Sequence, residues 1–188
     1  MKKELTNTEI ALLACHTCQW YQATLMQAKR FIDSLEKIHG DMPWDEGECS
    51  SIFHADRMFL IVAIKHSIKH LSNLNSQLQM RADYSCQELL EIFGTSKERR
   101  KILDLRDMNE HNIEYVEGIG HKQSKFGAVV RKNDYCIPTN AFYTIIHGDA
   151  KLFLLGDVEI DKLLLNMKDK LPFVRERTQA IFNHYYAL

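Results

Sequence analysis

Hydrophobic residues recur every three or four positions through the first two thirds of the chain, as they do along the buried face of a helix. The pattern predicts one helix from about residue 6 to Ile38, ended by Gly40, and a second over about residues 51–81. Between them, the stretch GDMPWDEG at 40–47 contains a proline and two glycines. That composition is typical of a loop.

Three hydroxyl residues each precede a glutamate by three positions, which is the spacing of a capping box at a helix start. The pairs are Thr6 with Glu9, Ser85 with Glu88, and Thr95 with Glu98. The second pair predicts a short helix that ends at Gly94, and the third predicts a helix that runs to about Glu117.

After residue 120 the residue composition of the sequence changes. The segments FGAVVR, YCIPTNAFYTII and KLFLLGDVEI are rich in β-branched and aromatic residues, and turn formers separate them. We predict a small antiparallel meander of about three strands, with Pro138 at an edge or a bulge. A last helix should then follow, in which Pro172 either produces a kink or begins a second helix.

The predicted fold class is therefore mainly α: a bundle of about five helices with a β-meander inserted before the last one. At 188 residues, the chain has the size of one domain with its own core. This single domain, 1–188, would comprise a helical part at 6–118, the β-insertion at about 126–159 and the C-terminal helix at about 161–186.

Composition narrows the function classes. The formal net charge is −1, so no overall basic field predicts non-specific binding to nucleic acid, although a local basic site stays open. Five scattered cysteines, an odd number, indicate reduced thiols in a cytosol. The N-terminus has no signal-peptide core, and no apolar run is long enough to span a membrane. We expect a soluble cytoplasmic protein with no membrane partner.

Two sequence motifs have metal-ligand spacing. Cys15 and Cys18 form a CxxC pair, but no second pair exists, so packed small side chains are favoured over a zinc site. His66 and His70 share a helix face, yet Ser67 stands where the zinc-protease signature needs a glutamate. A solvated, mildly basic face is favoured there. We therefore predict no metal ligands and no cofactor.

The segment KERRK at 97–101 concentrates positive charge at a helix N-terminus, where it opposes the helix dipole. Two interpretations stay open for Arg99 and Arg100: solubility, or the attraction of a phosphate chain toward this helix.

The same helix carries LRDMNEHNIEY at 105–115, in which polar residues are crowded. At about 100° per residue, one side of the helix gathers an apolar face that should pack into the bundle. This face comprises Ile102, Leu105, Met108, Ile113 and Val116. Asn109 and Asn112 fall in the same sector, so their amides need hydrogen-bond partners.

Asp107, His111 and Tyr115 follow at i, i+4, i+8 and predict an outward polar column. Arg106 lies about 140° from His111, so one helix does not easily bring the two together. A second copy related by a two-fold axis would place one chain's arginine near the other's histidine, so the spacing is compatible with a homodimeric site. The alternative is an ion pair between Arg106 and Glu110 beside a merely exposed histidine.

Arg106-Asp107-x-x-x-His111 resembles the R-x4-6-H motif of the HEPN family, including the polar residue after the arginine. The resemblance covers this motif, the helical architecture of residues 6–118 and, loosely, the final helix. The segment 126–159 matches no standard element of that family.

The resemblance implies a metal-independent endoribonuclease that works as a dimer. Arg106 would bind the scissile phosphate, and His111 would act as general base on the ribose 2′-hydroxyl or as acid on the leaving oxygen. Asp107 would orient its neighbours, while Tyr115, Asn109, Arg99 and Arg100 would contact RNA.

The family also includes toxins and antiphage effectors. In its nucleotidyltransferase-paired toxins a tyrosine stands at H-x-Y, whereas here Tyr115 stands at H-x-x-x-Y, so that antitoxin mode is not carried over. A cognate antitoxin stays an open partner. The alternative function is a non-catalytic HEPN-like module for dimerisation and for protein or nucleotide binding.

Overall fold

The computed structural model describes residues 3–39, 46–82, 85–126, 129–132, 135–138, 142–147, 150–155 and 158–187. Within these ranges the protein is mainly α. The helices are α1 (Asn7–His39), α2 (Glu46–Met80), α3 (Gln87–Glu91), α4 (Ser96–Glu110), α5 (Asn112–Val116) and α6 (Ile160–Tyr186). The strands are β1 (Val129–Lys132), β2 (Tyr135–Pro138), β3 (Phe142–His147), β4 (Ala150–Leu155) and β5 (Val158–Glu159). No helix in these ranges is long and apolar enough to cross a membrane.

The strands form two separate antiparallel sets. β1 pairs with β2, with Val129 opposite Pro138, and the order of the other set is β3-β4-β5. The sequence predicted one meander of about three strands, whereas the structure has a two-stranded set and a three-stranded set. The turn residues 133–134 and 148–149, like most of the predicted loop at 40–47, lie outside the described residues.

The chain divides into two compact units. The first unit comprises Met1–Phe93 with Asn166–Leu188, and the second comprises Gly94–Leu165. In the first unit, the fully buried Tyr21 donates a hydrogen bond from its hydroxyl to the Met167 carbonyl at 2.7 Å. Its ring meets Phe93 edge-on at 6.0 Å. This side chain therefore ties α1 to α6 and to the end of the α3 region.

A polar network lies between α1 and α2 in the first unit. The Asp56 carboxylate is 4% exposed and accepts hydrogen bonds from the Ser34 hydroxyl at 2.6 Å and the Gln27 amide at 3.1 Å. Arg30 pairs with the same carboxylate at 3.1 Å. Because every oxygen of this buried group has a partner, the network avoids the cost of an unpaired buried charge.

The capping boxes predicted for α1 and α4 are confirmed, and the one predicted for α3 is wrong. At α1, the Glu9 amide donates to Thr6 Oγ1 at 3.2 Å, and the Thr6 amide donates to Glu9 Oε2 at 2.7 Å. α3 instead has Cys86 as its N-cap residue, without a side-chain hydrogen bond. Glu88, the expected acceptor, is 3.4 Å from the Arg177 Nε.

α6 runs without interruption through Pro172. The proposal that this proline begins a second helix is therefore wrong. Proline removes one intrahelical hydrogen bond, but Met167 and Val174 on either side of it are fully buried. Their packing holds the helix across the missing bond.

The inner face of α4, in the second unit, is buried. Ile102, Leu105 and Met108 are buried, as predicted. Val116 was expected on the same face, but it is 70% exposed, because the helix does not continue straight to residue 117. The side chains of Ile113 and Asn112 lie outside the described residues.

Candidate functional site on helix α4

The start of α4 is fixed by local hydrogen bonds. The Glu98 amide donates to Thr95 Oγ1 at 3.3 Å, and the Thr95 amide donates to Glu98 Oε2 at 2.7 Å. An Arg99 amino group donates to the Gly94 carbonyl at the end of the preceding segment. Arg99 therefore helps to hold the chain where α4 begins.

Arg106 is paired within its own helix. Its guanidinium forms an ion pair with Glu110, one turn further on, and its side chain is only 18% exposed. The arginine Nε is buried and has no hydrogen-bond partner among the described residues. Burial lowers the pKa of the guanidinium, and the nearby charge of Asp107 opposes that change. Arg106 is thus a half-buried cation held by one carboxylate, not an outward-facing side chain.

His111 stands where α4 ends. Its backbone angles, φ −105° and ψ 32°, leave the helical range, although its amide still donates to the Asp107 carbonyl at 3.0 Å. The sequence predicted one helix through to Glu117, so this break between α4 and α5 is a correction. Because the helix ends here, the histidine projects from a helix terminus.

The His111 imidazole is half-exposed and faces a carboxylate. Its Nδ1 lies 3.2 Å from Glu114 Oε1, and the two side chains are 46% and 48% exposed. The described residues give Nε2 no hydrogen-bond partner. A carboxylate at Nδ1 favours the tautomer with its proton there, which leaves Nε2 as an acceptor toward solvent.

Tyr115 is a buried core residue, so its predicted outward position is wrong. It is 1% exposed, and its hydroxyl donates to Asp107 Oδ2 at 2.9 Å and accepts the Lys122 amide at 3.0 Å. Its ring stacks on Phe126 at 5.4 Å. Burial raises the pKa of Tyr115, and the hydrogen bond to Asp107 raises it further. This side chain offers no surface to a nucleotide base.

The segment after α5, residues 117–126, folds back over Tyr115 and is called the returning segment. The Gln123 side-chain amide donates to the Tyr115 carbonyl at 2.9 Å. A Cβ built on Gly120 would lie 2.3 Å from Tyr115 Cδ1, so only glycine permits this approach. Through the Tyr115 hydroxyl, Asp107 therefore anchors the returning segment.

The structure thus separates the predicted site residues. Arg99 and Arg100 lie in the first turns of α4, with Arg100 about 9 Å along the axis from Arg106. Arg100 Nε lies 3.2 Å from Asp104 Oδ1. The side chain of Asn109 lies outside the described residues.

Sequence reasoning missed two groups of side chains in this unit. Glu114 stands three positions after His111, and this spacing was a signal that could have revealed the pair. Asp104 was missed because a charged residue between apolar positions looks solvated. Its partners Lys122 and Lys125 come from the returning segment, which carries no periodic pattern.

The metal-spaced motifs of the first unit have other roles. Cys15 and Cys18 are free thiols that line a groove of about 620 Å³ between α1 and α6. His66 stacks on Trp20 at 4.3 Å, and His70 Nδ1 lies 2.9 Å from the His66 carbonyl oxygen. Across the described part of the chain, no group of three or more candidate ligands is placed to hold a metal ion.

The face that carries these histidines differs from the predicted solvated one. His66 and His70 are half-buried, and Lys65 is 9% exposed, whereas Lys69 is exposed. The aromatic stack on Trp20 accounts for the burial of the imidazoles.

Comparison of the chain with family models, with curated proteins and with solved structures finds no match in any of the three.

Proposed function

We propose that the protein is a HEPN-like, metal-independent endoribonuclease in which His111 and Arg106 act on the scissile phosphate. The observation that carries the proposal is the half-exposed His111 imidazole at the end of α4, with Nδ1 facing Glu114. An imidazole whose second ring nitrogen has no protein partner can act as a general base or acid. The second support is the sequence motif Arg106-Asp107-x-x-x-His111. It places a cation five residues before the histidine at which α4 ends.

The reaction would be a transesterification. His111 Nε2 would take the proton of a ribose 2′-hydroxyl, and the 2′-oxygen would attack the adjacent phosphorus. The bond from phosphorus to the 5′-oxygen would break, and that oxygen would take a proton from water, giving a 2′,3′-cyclic phosphate and a 5′-hydroxyl end. The hydroxide left behind would take the proton held by His111, which restores the neutral imidazole. Arg106 would stabilise the additional negative charge on the phosphoryl oxygens.

Arg106 reaches this role only if it leaves Glu110. A phosphate dianion-like transition state attracts a guanidinium more strongly than one carboxylate does, so substrate would compete for the pair. Because Arg106 is paired with Glu110 of its own helix and not with His111, we propose that the arginine of a second copy completes the site. The protein would then act as a homodimer.

The test is RNA cleavage in EDTA, with His111→Ala beside wild type. His121→Ala is the matched control, because it removes an exposed histidine from the same unit. We expect the cleavage rate of His111→Ala to be about 10²–10⁴-fold below that of wild type, and the control to keep the wild-type rate. Equal rates in wild type and His111→Ala would contradict the proposal.

A role as a toxin or antiphage effector is part of the proposal. It is supported by the motif alone, and it predicts that expression of the wild-type chain slows bacterial growth. His111→Ala should not slow growth. A cognate antitoxin would be a partner that relieves the wild-type effect.

The second candidate function is a non-catalytic HEPN-like module that dimerises or binds a protein or nucleotide. The structural observation that favours it is that two motif side chains are already engaged: Arg106 with Glu110, and Asp107 with Tyr115. In that case Arg106→Glu would disturb a dimer or a bound ligand, and neither wild type nor variant would turn over RNA.

A further inference from the structure

One buried carboxylate in the second unit gathers three cations. The Asp104 side chain is 5% exposed, and its Oδ1 lies 3.2 Å from Arg100 Nε and 3.9 Å from Lys122 Nζ. Its Oδ2 lies 2.5 Å from Lys125 Nζ. Arg100 comes from α4, and the two lysines come from the segment that returns along it. We call Asp104, Arg100, Lys122 and Lys125 the Asp104 cluster.

The cluster presents positive charge to solvent. Its three cationic side chains are 63%, 31% and 53% exposed, in the order Arg100, Lys122 and Lys125, while the carboxylate that they share is buried. Arg100 uses Nε for Asp104, and the described residues give its terminal amino groups no acceptor. Arg100 and Lys122 share this one carboxylate, which carries a single negative charge, so an anion on the solvent side would reduce the repulsion between them.

The fold holds this arrangement before any ligand binds. The Lys122 amide donates to the Tyr115 hydroxyl at 3.0 Å, and the Gln123 side chain donates to the Tyr115 carbonyl at 2.9 Å. Tyr115 is itself fixed to α4 through Asp107. Because the backbone beneath the lysines is fixed, an anion would be bound without ordering a loop.

We propose that the Asp104 cluster binds a backbone phosphate of an RNA strand, with Arg100 and Lys122 as its principal ligands. Arginine offers a planar fork to phosphate oxygens, and lysine adds a point charge. Arg100 lies about 9 Å along α4 from Arg106 and about 120° around it, so the cluster would contact a phosphate of the same strand at a distance from the scissile one. That the strand is RNA rests on the proposed function.

A purely structural role makes a different prediction. If Asp104 only fastens the returning segment to α4, the cations matter for stability and not for binding. The two roles are separated by a measurement of nucleic-acid affinity against salt concentration. Each phosphate contact on a single strand contributes about 0.7 to the salt slope, whereas a structural ion pair contributes nothing to it.

The experiment measures fluorescence anisotropy with a labelled 2′-O-methyl RNA 12-mer, which has no free 2′-hydroxyl and is not cleaved. Wild type is compared with Arg100→Gln/Lys122→Gln, and the matched control is Lys168→Gln/Lys170→Gln, two exposed lysines on α6. We expect the cluster variant to bind about tenfold weaker or worse, and its salt slope to fall by about 1.4.

A charge-retaining variant, Lys122→Arg, should keep the wild-type affinity. Thermal unfolding measures whether each variant is folded. If the double variant unfolds, Lys122→Gln alone should still lower the slope by about 0.7.

Equal affinities and slopes for the cluster variant and the control would overturn the proposal, as would a wild type that does not bind the 12-mer. Cleavage of ordinary RNA by a protein whose cluster binds nothing would leave the proposed function standing without this site. Binding without cleavage would leave the site standing and contradict the ribonuclease.

Discussion

The hydroxyl of Tyr115 donates a hydrogen bond to the carboxylate of Asp107 at 2.9 Å, although the two residues lie in different helices. The same hydroxyl accepts the Lys122 amide, so one oxygen joins α4, α5 and the returning segment. The positions of the chain segments around the proposed site therefore depend on a buried tyrosine.

Removing this hydroxyl should destabilise the second unit. Tyr115→Phe leaves Asp107 Oδ2 and the Lys122 amide each without a partner, so we expect a loss of about 1–3 kcal/mol in the free energy of unfolding. Urea unfolding monitored by circular dichroism measures it. Tyr186→Phe is the control, since Tyr186 is 67% exposed and should change little. An unchanged midpoint for Tyr115→Phe would contradict the hydrogen-bonded arrangement.

The close approach of Gly120 to Tyr115 gives a second test. Gly120→Ala places a methyl group against the tyrosine ring and should cost about 1–3 kcal/mol through overpacking. Gly118 is the comparison: its φ of +82° is strained for alanine, but no atom lies within 4 Å of the added Cβ. Gly118→Ala should therefore cost about 1 kcal/mol. The clash predicts that Tyr115→Leu, which removes the ring, reduces the cost of Gly120→Ala; an unreduced cost would argue against the contact.

Asp56 should make the first unit sensitive to acid. The hydrogen bond from Ser34, followed by those from Gln27 and Arg30, holds the pKa of Asp56 below its usual value, and burial opposes this. A carboxyl whose pKa is lower in the folded state stabilises the protein at pH above its unfolded pKa. This stability should be lost as pH falls from about 4 through the folded pKa.

Asp56→Asn should therefore lower the free energy of unfolding by about 1–3 kcal/mol at pH 7 and flatten its fall below pH 4. Asp33→Asn is the matched control on α1, because Asp33 is 47% exposed and pairs with Lys29 one turn away. Its effect should stay within about 0.5 kcal/mol. Identical acid profiles for the two variants would exclude Asp56 as the source of the sensitivity.

The ion pair between Arg106 and Glu110 should restrain phosphate binding. Glu110→Gln keeps the shape of the side chain but removes its charge, so Arg106 should bind a phosphate more readily. We expect tighter binding of a 2′-O-methyl RNA strand, by about three- to tenfold, with a small loss of stability. Glu117→Gln, an exposed glutamate one element further on, controls for the change in net charge. If both variants tighten binding equally, the pair has no specific role.

The parts of the fold that depend on neighbouring residues followed from the sequence. Thr95 and Glu98 need only each other to cap α4, and the apolar spacing of Ile102, Leu105 and Met108 is enough to place its buried face. The alternative considered for Arg106, an ion pair with Glu110, was visible for the same reason.

The parts that depend on distant residues did not follow. The outward position expected for Tyr115 assumed one straight helix, whereas the chain breaks at His111 and the segment beyond Gly120 covers the ring. That segment has no periodic pattern of hydrophobic residues from which its return could be predicted. The charged surface around Asp104 was hidden for the same reason, since Lys122 and Lys125 meet it only after the chain has reversed.

The most direct test of the central claim is the analysis of RNA ends after incubation with the protein in EDTA. Mass spectrometry of the products should show 2′,3′-cyclic phosphates from wild type and from His121→Ala, and at least about 10²-fold fewer from His111→Ala. No product from wild type over a broad panel of RNAs, or equal product from wild type and His111→Ala, would contradict a ribonuclease site at His111.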